Sequence, residues 1–315
     1  MNNQRPFRFG IVGESIRTAD DLTTTARLAE ELGYATLTLR DHFVTEPFGD
    51  QPAPLIALAA AAGVTTTLGL GTLVLANDYR HPVMLAKEAS TLDHLSGGRF
   101  ELGIGAGWLR EEYEQAGMPF DAAGVRVDRL EESLQILRSL LGGEKTSFSG
   151  EHYQVRDLTV FPAPTRPTPI LVGAGSRRML GLAGRYADTV GILPRALPNG
   201  TISDEMSERM PDTIARKTDW VREAASGRDV ELSMLVSPVF GADPRKVAAR
   251  QAVLRGWGTA AADLVLDMPS QFVGPAEHIA EQMVARRERF GFSYYLVGDA
   301  AMRDFAPVVK LLAGR

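Results

Sequence analysis

An aspartate and a histidine stand side by side at positions 41 and 42, directly after a short apolar run at 35–39 that we predict to be a strand. A carboxylate can anchor a polar ligand, and an imidazole takes up or releases a proton near neutral pH. Asp41 and His42 can therefore serve acid–base chemistry if the end of that strand faces a binding site. The alternative is that Asp41 caps a helix while His42 faces solvent, and these two residues alone do not decide between the two.

Two glycine clusters follow later apolar runs, at 103–107 and at 173–175, and Ser176 and Arg177 come directly after the second. Glycine lets the backbone approach a flat or phosphorylated ligand, and the free N–H groups at a helix start bind an anion. Tight strand-to-helix turns would explain the same glycines. Neither cluster completes the GxGxxG pattern of a dinucleotide-binding fold. The first lacks the two-residue gap, and Arg178 replaces the third glycine of the second, so we exclude that fold.

Several other kinds of chemistry are excluded by the residue types. The chain has no cysteine, which removes disulfides, thiolate nucleophiles and cysteine-bound metals. Its five histidines do not show the spacing of a helical zinc site, so we predict no metal site. The sequence contains neither a GxSxG nucleophile motif nor a phosphate-binding P-loop motif.

Composition excludes several classes of partner. The 315 residues include 34 basic and 39 acidic side chains, for a net charge of −5, and the basic residues do not cluster into a nucleic-acid-binding face. No apolar run reaches the roughly 20 residues that a membrane span needs, and the N-terminus does not resemble a signal peptide. We therefore expect a cytoplasmic protein that acts on a small molecule and binds neither nucleic acid nor membrane.

Short apolar runs alternate with segments of helical periodicity along most of the chain. The predicted strands are 7–12, 35–39, 68–76, 99–104, 170–172, 188–193, 232–239 and 294–297. Eight strands, each followed by a helix, predict an α/β fold, a closed (β/α)8 or TIM barrel, rather than an open doubly wound sheet. We expect residues 1–315 to form a single barrel domain. In such barrels the chemistry takes place at the C-terminal ends of the strands, where Asp41, His42 and both glycine clusters lie.

Two segments interrupt the alternation. Residues 142–169, rich in proline and aromatic side chains, predict a hairpin-like insertion after the fourth strand. The polar segment 194–227, between the sixth and seventh strands, is predicted to be mostly helical after Ser203. It is a candidate lid over the site, and an ordinary surface helix is the alternative.

The segment 69–108 resembles the bacterial-luciferase-like family of flavin and deazaflavin oxidoreductases. The resemblance rests on RHP at 80–82, TLDHLSGGRF at 91–100 and GIGAGW at 103–108. The order of strands and helices and the VGPAEHIAEQM segment at 273–283 extend it over nearly the whole chain. The Asp41-His42 pair is similar to the branch that uses the deazaflavin coenzyme F420.

The resemblance implies roles for individual residues. His42 would be a catalytic residue that moves a proton at the reacting face of the cofactor, with Asp41 beside it. The bond between Leu73 and Val74 would be a cis peptide behind the cofactor ring. The positions that the resemblance assigns to cofactor binding are Asp41, Leu73, Val74, Ala106, Gly107, Gly173, Ala174, Gly175, Ser176 and Arg177.

One position departs from the sugar-phosphate dehydrogenases of that family. A carboxylate follows the glycines of the fourth strand in those enzymes, whereas this chain has Trp108. Glu111 and Glu112 lie one turn later and are candidates to replace it. This departure and the small number of lysines argue against a sugar-phosphate substrate.

Three functions are compatible with the sequence. The first is an F420-dependent oxidoreductase that transfers a hydride between the deazaflavin and a small organic substrate, and the resemblance favours it. The second is an FMN-dependent monooxygenase that uses reduced flavin and O2. The third is a flavin- or deazaflavin-binding protein without catalysis. The resemblance also implies a homodimer formed through the barrel helices.

Overall fold

The computed structural model describes residues 5–241 and 243–315. The strands are β1 (Arg8–Val12), β2 (Thr36–Leu39), β3 (Gly69–Thr72), β4 (Leu75–Ala76), β5 (Phe100–Gly105), β6 (Thr146–Ser149), β7 (Gln154–Leu158), β8 (Ile170–Ala174), β9 (Thr189–Ile192), β10 (Glu231–Leu235), β11 (Ser237–Val239), β12 (Gln271–Val273) and β13 (Phe292–Gly298). The α-helices are α1 (Ala19–Glu31), α2 (Pro54–Ala62), α3 (Pro82–Leu95), α4 (Arg110–Gln115), α5 (Ala123–Leu141), α6 (Arg177–Tyr186), α7 (Pro211–Ala225), α8 (Pro244–Leu254), α9 (Ala262–Asp267), α10 (Ala276–Phe290) and α11 (Met302–Leu312).

The central sheet is a closed barrel of eight parallel strands. Strands β1, β2, β3, β5, β8, β9, β10 and β13 follow one another around it, and β13 pairs with β1. The pairing of Leu70 on β3 with Phe100 on β5 closes the ring between the third and fourth strands. This confirms the predicted (β/α)8 barrel, so the C-terminal ends of all eight strands surround one mouth.

The third barrel strand is in two pieces. The sequence predicts one strand over 68–76, but β3 ends at Thr72 and β4 begins at Leu75. The peptide bond between Leu73 and Val74, which separates them, is cis, as the family resemblance implies. Both pieces pair with β5, so the break changes the backbone at the mouth without opening the barrel.

Local sequence signals explain where the helices begin. Thr18 and Asp21 form a reciprocal capping box at the start of α1. Pro82 occupies the first turn of α3, where its missing N–H costs nothing, and the His81 ring caps the same helix by accepting the N–H of Val83. His81 therefore has a structural role at the start of a helix.

The lower half of the barrel interior holds a buried ion network. The guanidinium of Arg8 on β1 contacts Glu101 on β5 at 3.0 Å and Glu231 on β10 at 2.7 Å. Its Cζ lies 3.6 Å from the centroid of the Tyr294 ring. Burial lowers the pKa of the Arg8 guanidinium, but the adjacent carboxylates outweigh burial, and the net shift is upward. The network therefore joins β1, β5, β10 and β13 at the end of the barrel opposite the mouth.

Two segments extend the connections between barrel strands: 142–169 follows α5 and precedes β8, and 194–227 connects β9 to β10 and contains α7. Residues 142–169 contain the antiparallel hairpin of β6 and β7. In the segment 194–227, a short 3-10 helix covers Met206–Arg209 and α7 covers the rest up to Ala225. Helix α7 packs against α6 and buries Ile214 and Val221, so it belongs to the ring of helices around the barrel.

The seventh predicted strand, 232–239, is divided in the structure. Strand β10 ends at Leu235, and β11 leaves the barrel to pair in parallel with β12, which the sequence did not indicate. Helices α8 and α9 lie between β11 and β12 and share a small apolar cluster that includes Ala252 and Val265. Met206 and Met210 pack against this cluster rather than the main core. The region after β9 and the region after β10 therefore meet on the mouth side of the barrel.

Among the described residues, none of the helices combines the length and the apolar character that crossing a membrane requires.

Candidate functional site

Asp41 and His42 lie at the mouth, two and three residues beyond the end of β2. Asp41 is buried and receives two hydrogen bonds from the Arg80 guanidinium, at 2.6 and 3.0 Å. The backbone N–H of Ala76 donates to the same carboxylate at 3.3 Å. Burial lowers the pKa of Arg80, but the hydrogen bonds and the charge of Asp41 outweigh it, and the pKa is raised. Asp41 is thus a fixed anion that ties the end of β2 to the end of β4.

The imidazole of His42 is held by a carboxylate from another element. Its Nδ1 lies 3.0 Å from Oε1 and 3.2 Å from Oε2 of Glu112, on α4. The His42 side chain is 11% exposed, whereas that of Glu112 is 2% exposed. Within the described residues no protein group bonds to the Nε2 of His42, so this nitrogen is the one available to a ligand.

Glu112 receives further hydrogen bonds that keep it ionised. The backbone N–H of Phe43 donates to Oε1 at 2.6 Å, and the hydroxyl of Tyr79 donates to Oε2 at 2.8 Å. Burial raises the pKa of the Glu112 carboxyl, but the hydrogen bond and the charge of a protonated His42, together with the hydrogen bonds from Tyr79 and Phe43, outweigh it and lower the pKa. Of the two carboxylates proposed from the sequence, Glu112 therefore contacts His42, whereas Glu111 is exposed and, among the described residues, its side chain bonds only to Gln115.

Aromatic rings surround the His42 side chain. The Phe48 ring stacks on the imidazole with centroids 4.6 Å apart, and Trp108 meets it edge-on at 6.0 Å. Phe48 and Trp108 also meet edge-on, at 6.2 Å. The space next to His42 is therefore bounded by apolar rings. Phe48 could not be identified from the sequence, because it lies in an irregular loop with no periodic pattern.

Glycines line the upper interior of the barrel beside the cis peptide. A Cβ atom added to Gly105 would lie 3.1 Å from Cγ2 of Val74, and one added to Gly173 would lie 3.5 Å from the same side chain. A Cβ atom at Gly103 would lie 1.8 Å from the carbonyl oxygen of Thr72. Leu73 and Val74 pack against the apolar residues inside the barrel. The ends of β3, β5 and β8 thus form a surface that side chains would otherwise fill.

The end of β5 continues this surface. Ala106 is partly buried, and Gly107 has a φ of +74°, which favours glycine. A Cβ atom at Gly107 would lie 2.0 Å from the hydroxyl of Tyr113. Gly107 is therefore required by the fold as well as being a candidate for ligand contact.

Strand β8 is followed, after two residues, by the N-terminus of α6. The Ser176 hydroxyl caps α6 by accepting the N–H of Met179 at 3.4 Å. Arg177 is exposed, and its Cζ lies 5.7 Å from the centroid of the Trp220 ring. A Cβ atom at Gly175 would lie 2.3 Å from the carbonyl oxygen of Pro194. The side chain of Ala174 is 2% exposed and packs in the core outside the barrel, so this residue offers only its backbone to the mouth.

The start of the segment 194–227 borders the site. Where it follows β9, the backbone of Pro194 and Arg195 lies against Gly175. Further along, the carbonyl of Pro198 accepts a hydrogen bond from the Arg110 guanidinium at 3.1 Å. Arg110 begins α4 and lies two residues after Trp108. The segment therefore runs from the end of β8 to the aromatic wall around His42.

The luciferase-like monooxygenase family model matches residues 6–301. An F420-dependent glucose-6-phosphate dehydrogenase of Beutenbergia cavernae is 31% identical over 247 residues, which are 76% of this chain and 69% of that protein. A protein of the same description from Microbacterium testaceum is 33% identical over 189 residues, 58% of this chain and 55% of that protein. The chain thus matches little more than half the length of some of these curated relatives.

Two solved structures share the fold at low identity. An F420-dependent secondary alcohol dehydrogenase in complex with an F420-acetone adduct has a TM-score of 0.76 and 17% identity, with 98% of both chains covered. A riboflavin lyase with modified FMN has a TM-score of 0.75 and 16% identity, covering 98% of this chain and 92% of that one. The fold therefore accommodates both flavin and deazaflavin enzymes. The family match over residues 6–301, on a barrel whose mouth carries Asp41 and His42, shows that this chain belongs to the luciferase-like monooxygenase family.

Proposed function

We propose that this protein is an oxidoreductase that transfers a hydride between coenzyme F420 and a small neutral organic substrate, with His42 moving the accompanying proton. The names of the curated relatives, which include F420-dependent dehydrogenases matched over as much as 76% of this chain, support the cofactor. The observation that carries the proposal is the held imidazole of His42. Its Nδ1 is bonded to Glu112, and its Nε2 is available at the mouth.

The shape of the mouth fits a flat cofactor. Gly105 and Gly173 present bare backbone beside Val74, and a side chain at either position would occupy the space that a planar ring needs. Asp41, fixed by Arg80, lies at the same rim. We propose that the ring lies over this surface, in contact with Leu73 and Val74 and with the backbone of Ala106, Gly107, Gly173 and Ala174.

The start of α6 fits the anionic end of the cofactor. The first N–H groups of a helix carry partial positive charge and bind phosphate. Within the described residues Arg177 forms no ion pair, so its guanidinium is available for an anion. We propose that the cofactor's phosphate is held by Gly175, Ser176 and Arg177.

The chain's own residues manage the proton and the solvent. When bound, the deazaflavin supplies hydride acceptance or donation at its C5. During oxidation of an alcohol, Nε2 of His42 takes the hydroxyl proton as the C–H bond gives up its hydride, and in the reverse direction it returns that proton. Phe48 and Trp108 exclude water from the space beside the imidazole. We propose that the segment 194–210 covers this space as a lid.

The surroundings of His42 favour a neutral substrate over a sugar phosphate. Trp108 stands where a carboxylate would follow the glycines, and Phe48 adds a second apolar ring. Lys217, in the helix that follows the proposed lid, is 2% exposed and bonds to Glu208 and to the carbonyl of Leu193, each at 2.7 Å. Its ammonium group is therefore committed to the protein and does not bind a substrate phosphate.

Titration of the purified protein with F420 and, separately, with FMN tests the proposed cofactor. We expect F420 to bind with a micromolar Kd and FMN to bind much more weakly. Gly173→Leu is the matched variant, because the three atoms nearest to an added Cβ are side-chain methyls of Leu193 and Val74, at 3.3–3.5 Å. We expect the leucine to occupy the proposed ring site and abolish binding without unfolding the protein. Micromolar FMN binding with no F420 binding would contradict the assignment and favour a monooxygenase. With bound F420, a secondary alcohol should be turned over and glucose 6-phosphate should not.

We propose that the protein forms a homodimer through α2 and α3. The two helices pack against each other, and Ile56 on α2 and Met84 on α3 are 75% and 57% exposed. Introducing a charge at both positions (Ile56→Glu with Met84→Glu) is expected to yield a folded monomer, because the charges would be buried unpaired between two subunits. Sedimentation velocity measures the mass. The control is Leu254→Glu on α8, 71% exposed, which should remain dimeric. A monomeric parent protein would refute this interface.

A further inference from the structure

Glu112 contacts no part of the proposed ring surface but lies behind His42. Its Oε1 lies 3.0 Å from Nδ1 of His42 and accepts the N–H of Phe43 at 2.6 Å. The Glu112 side chain is 2% exposed, so its carboxylate is buried. Glu112 therefore does not replace the carboxylate that Trp108 displaces above the ring.

Tyr79 fixes the rotation of this carboxylate. Its hydroxyl donates to Oε2 at 2.8 Å, and its ring stacks on Phe43 with centroids 4.5 Å apart. On the other side, Tyr113 contacts the Tyr79 ring at 5.3 Å and donates its own hydroxyl to Asp78. Burial and the Glu112 carboxylate raise the pKa of the Tyr79 hydroxyl, so it remains a donor at any working pH.

The carboxylate that faces Nδ1 determines which nitrogen of the His42 imidazole carries the hydrogen. An ionised carboxylate only accepts hydrogen bonds, and Glu112 already accepts one from the N–H of Phe43 and one from the hydroxyl of Tyr79, so it presents acceptor oxygens to Nδ1. A neutral imidazole facing it must carry its hydrogen on Nδ1. Its Nε2 then has a lone pair, which is what a group that removes a proton from a substrate requires.

We propose that Glu112 is a positioning residue that, held by Tyr79, fixes the Nδ1–H tautomer and the orientation of His42, and so leaves Nε2 as the proton acceptor. This rests on the proposed function, in which His42 takes a substrate proton. The tautomer itself is a property of the protein without cofactor and can be measured on its own.

The experiment is a long-range ¹H–¹⁵N correlation spectrum of histidine-labelled protein without cofactor at pH 8, with the His42 signals assigned by their absence in His42→Gln. We expect the Nδ1–H form in the parent protein and the Nε2–H form in Glu112→Ala, which removes the acceptor. In Glu112→Gln the amide presents both oxygen and nitrogen to Nδ1, so we expect a mixture of the two forms. The kcat of Glu112→Ala should fall about 10²- to 10⁴-fold, whereas that of Glu112→Gln should fall much less, in proportion to the fraction of the Nε2–H form.

The matched control is Glu111→Ala on the exposed side of α4, which should change neither the tautomer nor kcat. Tyr79→Phe, which keeps the ring and removes the hydroxyl, should lower kcat several-fold. An Nε2–H form in the parent protein, or an unchanged tautomer in Glu112→Ala, would overturn the inference. If Glu112→Ala does not fold, an unmixed Nδ1–H form with full kcat in Glu112→Gln overturns it equally. Failure of F420 turnover with the expected tautomers would refute the proposed function alone.

Discussion

Replacement of His42 by alanine is expected to lower kcat by about 10²- to 10⁴-fold, because the substrate proton then has no acceptor at the mouth. The side chain that is lost lies in van der Waals range of Phe48, and its Nδ1 contact to Glu112 is 3.0 Å. Affinity for the cofactor should remain within a few-fold of the parent value, since the proposed ring surface is formed by Val74 and the glycines of β5 and β8. Steady-state kinetics and a separate cofactor titration measure the two quantities.

His94→Ala is the control for this variant. His94 is exposed in the last turn of α3, away from the mouth, so its removal should leave kcat and cofactor affinity unchanged. If His42→Ala kept full turnover, the proton would have to be transferred by another group. If cofactor affinity fell in parallel with kcat, His42 would be a binding residue rather than a proton carrier.

Replacement of Arg8 by methionine is expected to lower the free energy of unfolding by about 3 kcal/mol. Removing one partner from a buried ion network leaves the others without compensation, which typically costs about 3–5 kcal/mol. Here Glu101 and Glu231, which both contact Nη2 of Arg8, would be left as carboxylates without a cation, with side chains 11% and 7% exposed. We place the effect at the lower end of the range because Arg8 itself is 27% exposed. Urea unfolding followed by circular dichroism measures it.

An exposed ion pair at the same end of the barrel provides the comparison. Arg5 pairs with Asp229, whose side chain is 80% exposed, and such pairs contribute less than about 1 kcal/mol. Arg5→Met should therefore change the unfolding free energy far less than Arg8→Met. A triple variant that also removes both charges (Arg8→Met, Glu101→Gln and Glu231→Gln) should recover part of the loss. Equal effects of Arg5→Met and Arg8→Met would show that the network does not stabilise the fold.

The barrel was predictable because its signals are local. Alternation of short apolar runs with helix-period segments predicts eight βα units, and in a barrel that alternation places the end of the second strand at the mouth. Asp41 and His42 could therefore be located from the sequence. The break between β3 and β4 could not, because an apolar run such as 68–76 is compatible with one continuous strand. The cis peptide at Leu73–Val74 was anticipated only through the family resemblance.

The residues that contact His42 could be identified only from the structure. Glu111 and Glu112 are adjacent, and the sequence does not determine which of them α4 turns towards His42. Tyr79 and Arg80 come from the loop before α3, so their contacts with Glu112 and Asp41 depend on how three strand ends meet. Phe48 stacks on His42 and belongs to a loop without regular secondary structure. Contacts between residues far apart in sequence have no signal in local periodicity.

The division of the seventh strand separates a minor apolar core from the main core of the described residues. Ala248, Ala252, Ala261, Ala262, Val265 and Met268 form a minor core beyond the barrel, and the main core excludes them. Substitutions within 244–268 should disturb packing only within this minor core. Substitutions in the main core should disturb the packing of the barrel strands and the helices around them. We therefore expect that the region after β10 can change in shape without moving the strand ends that carry Asp41 and His42.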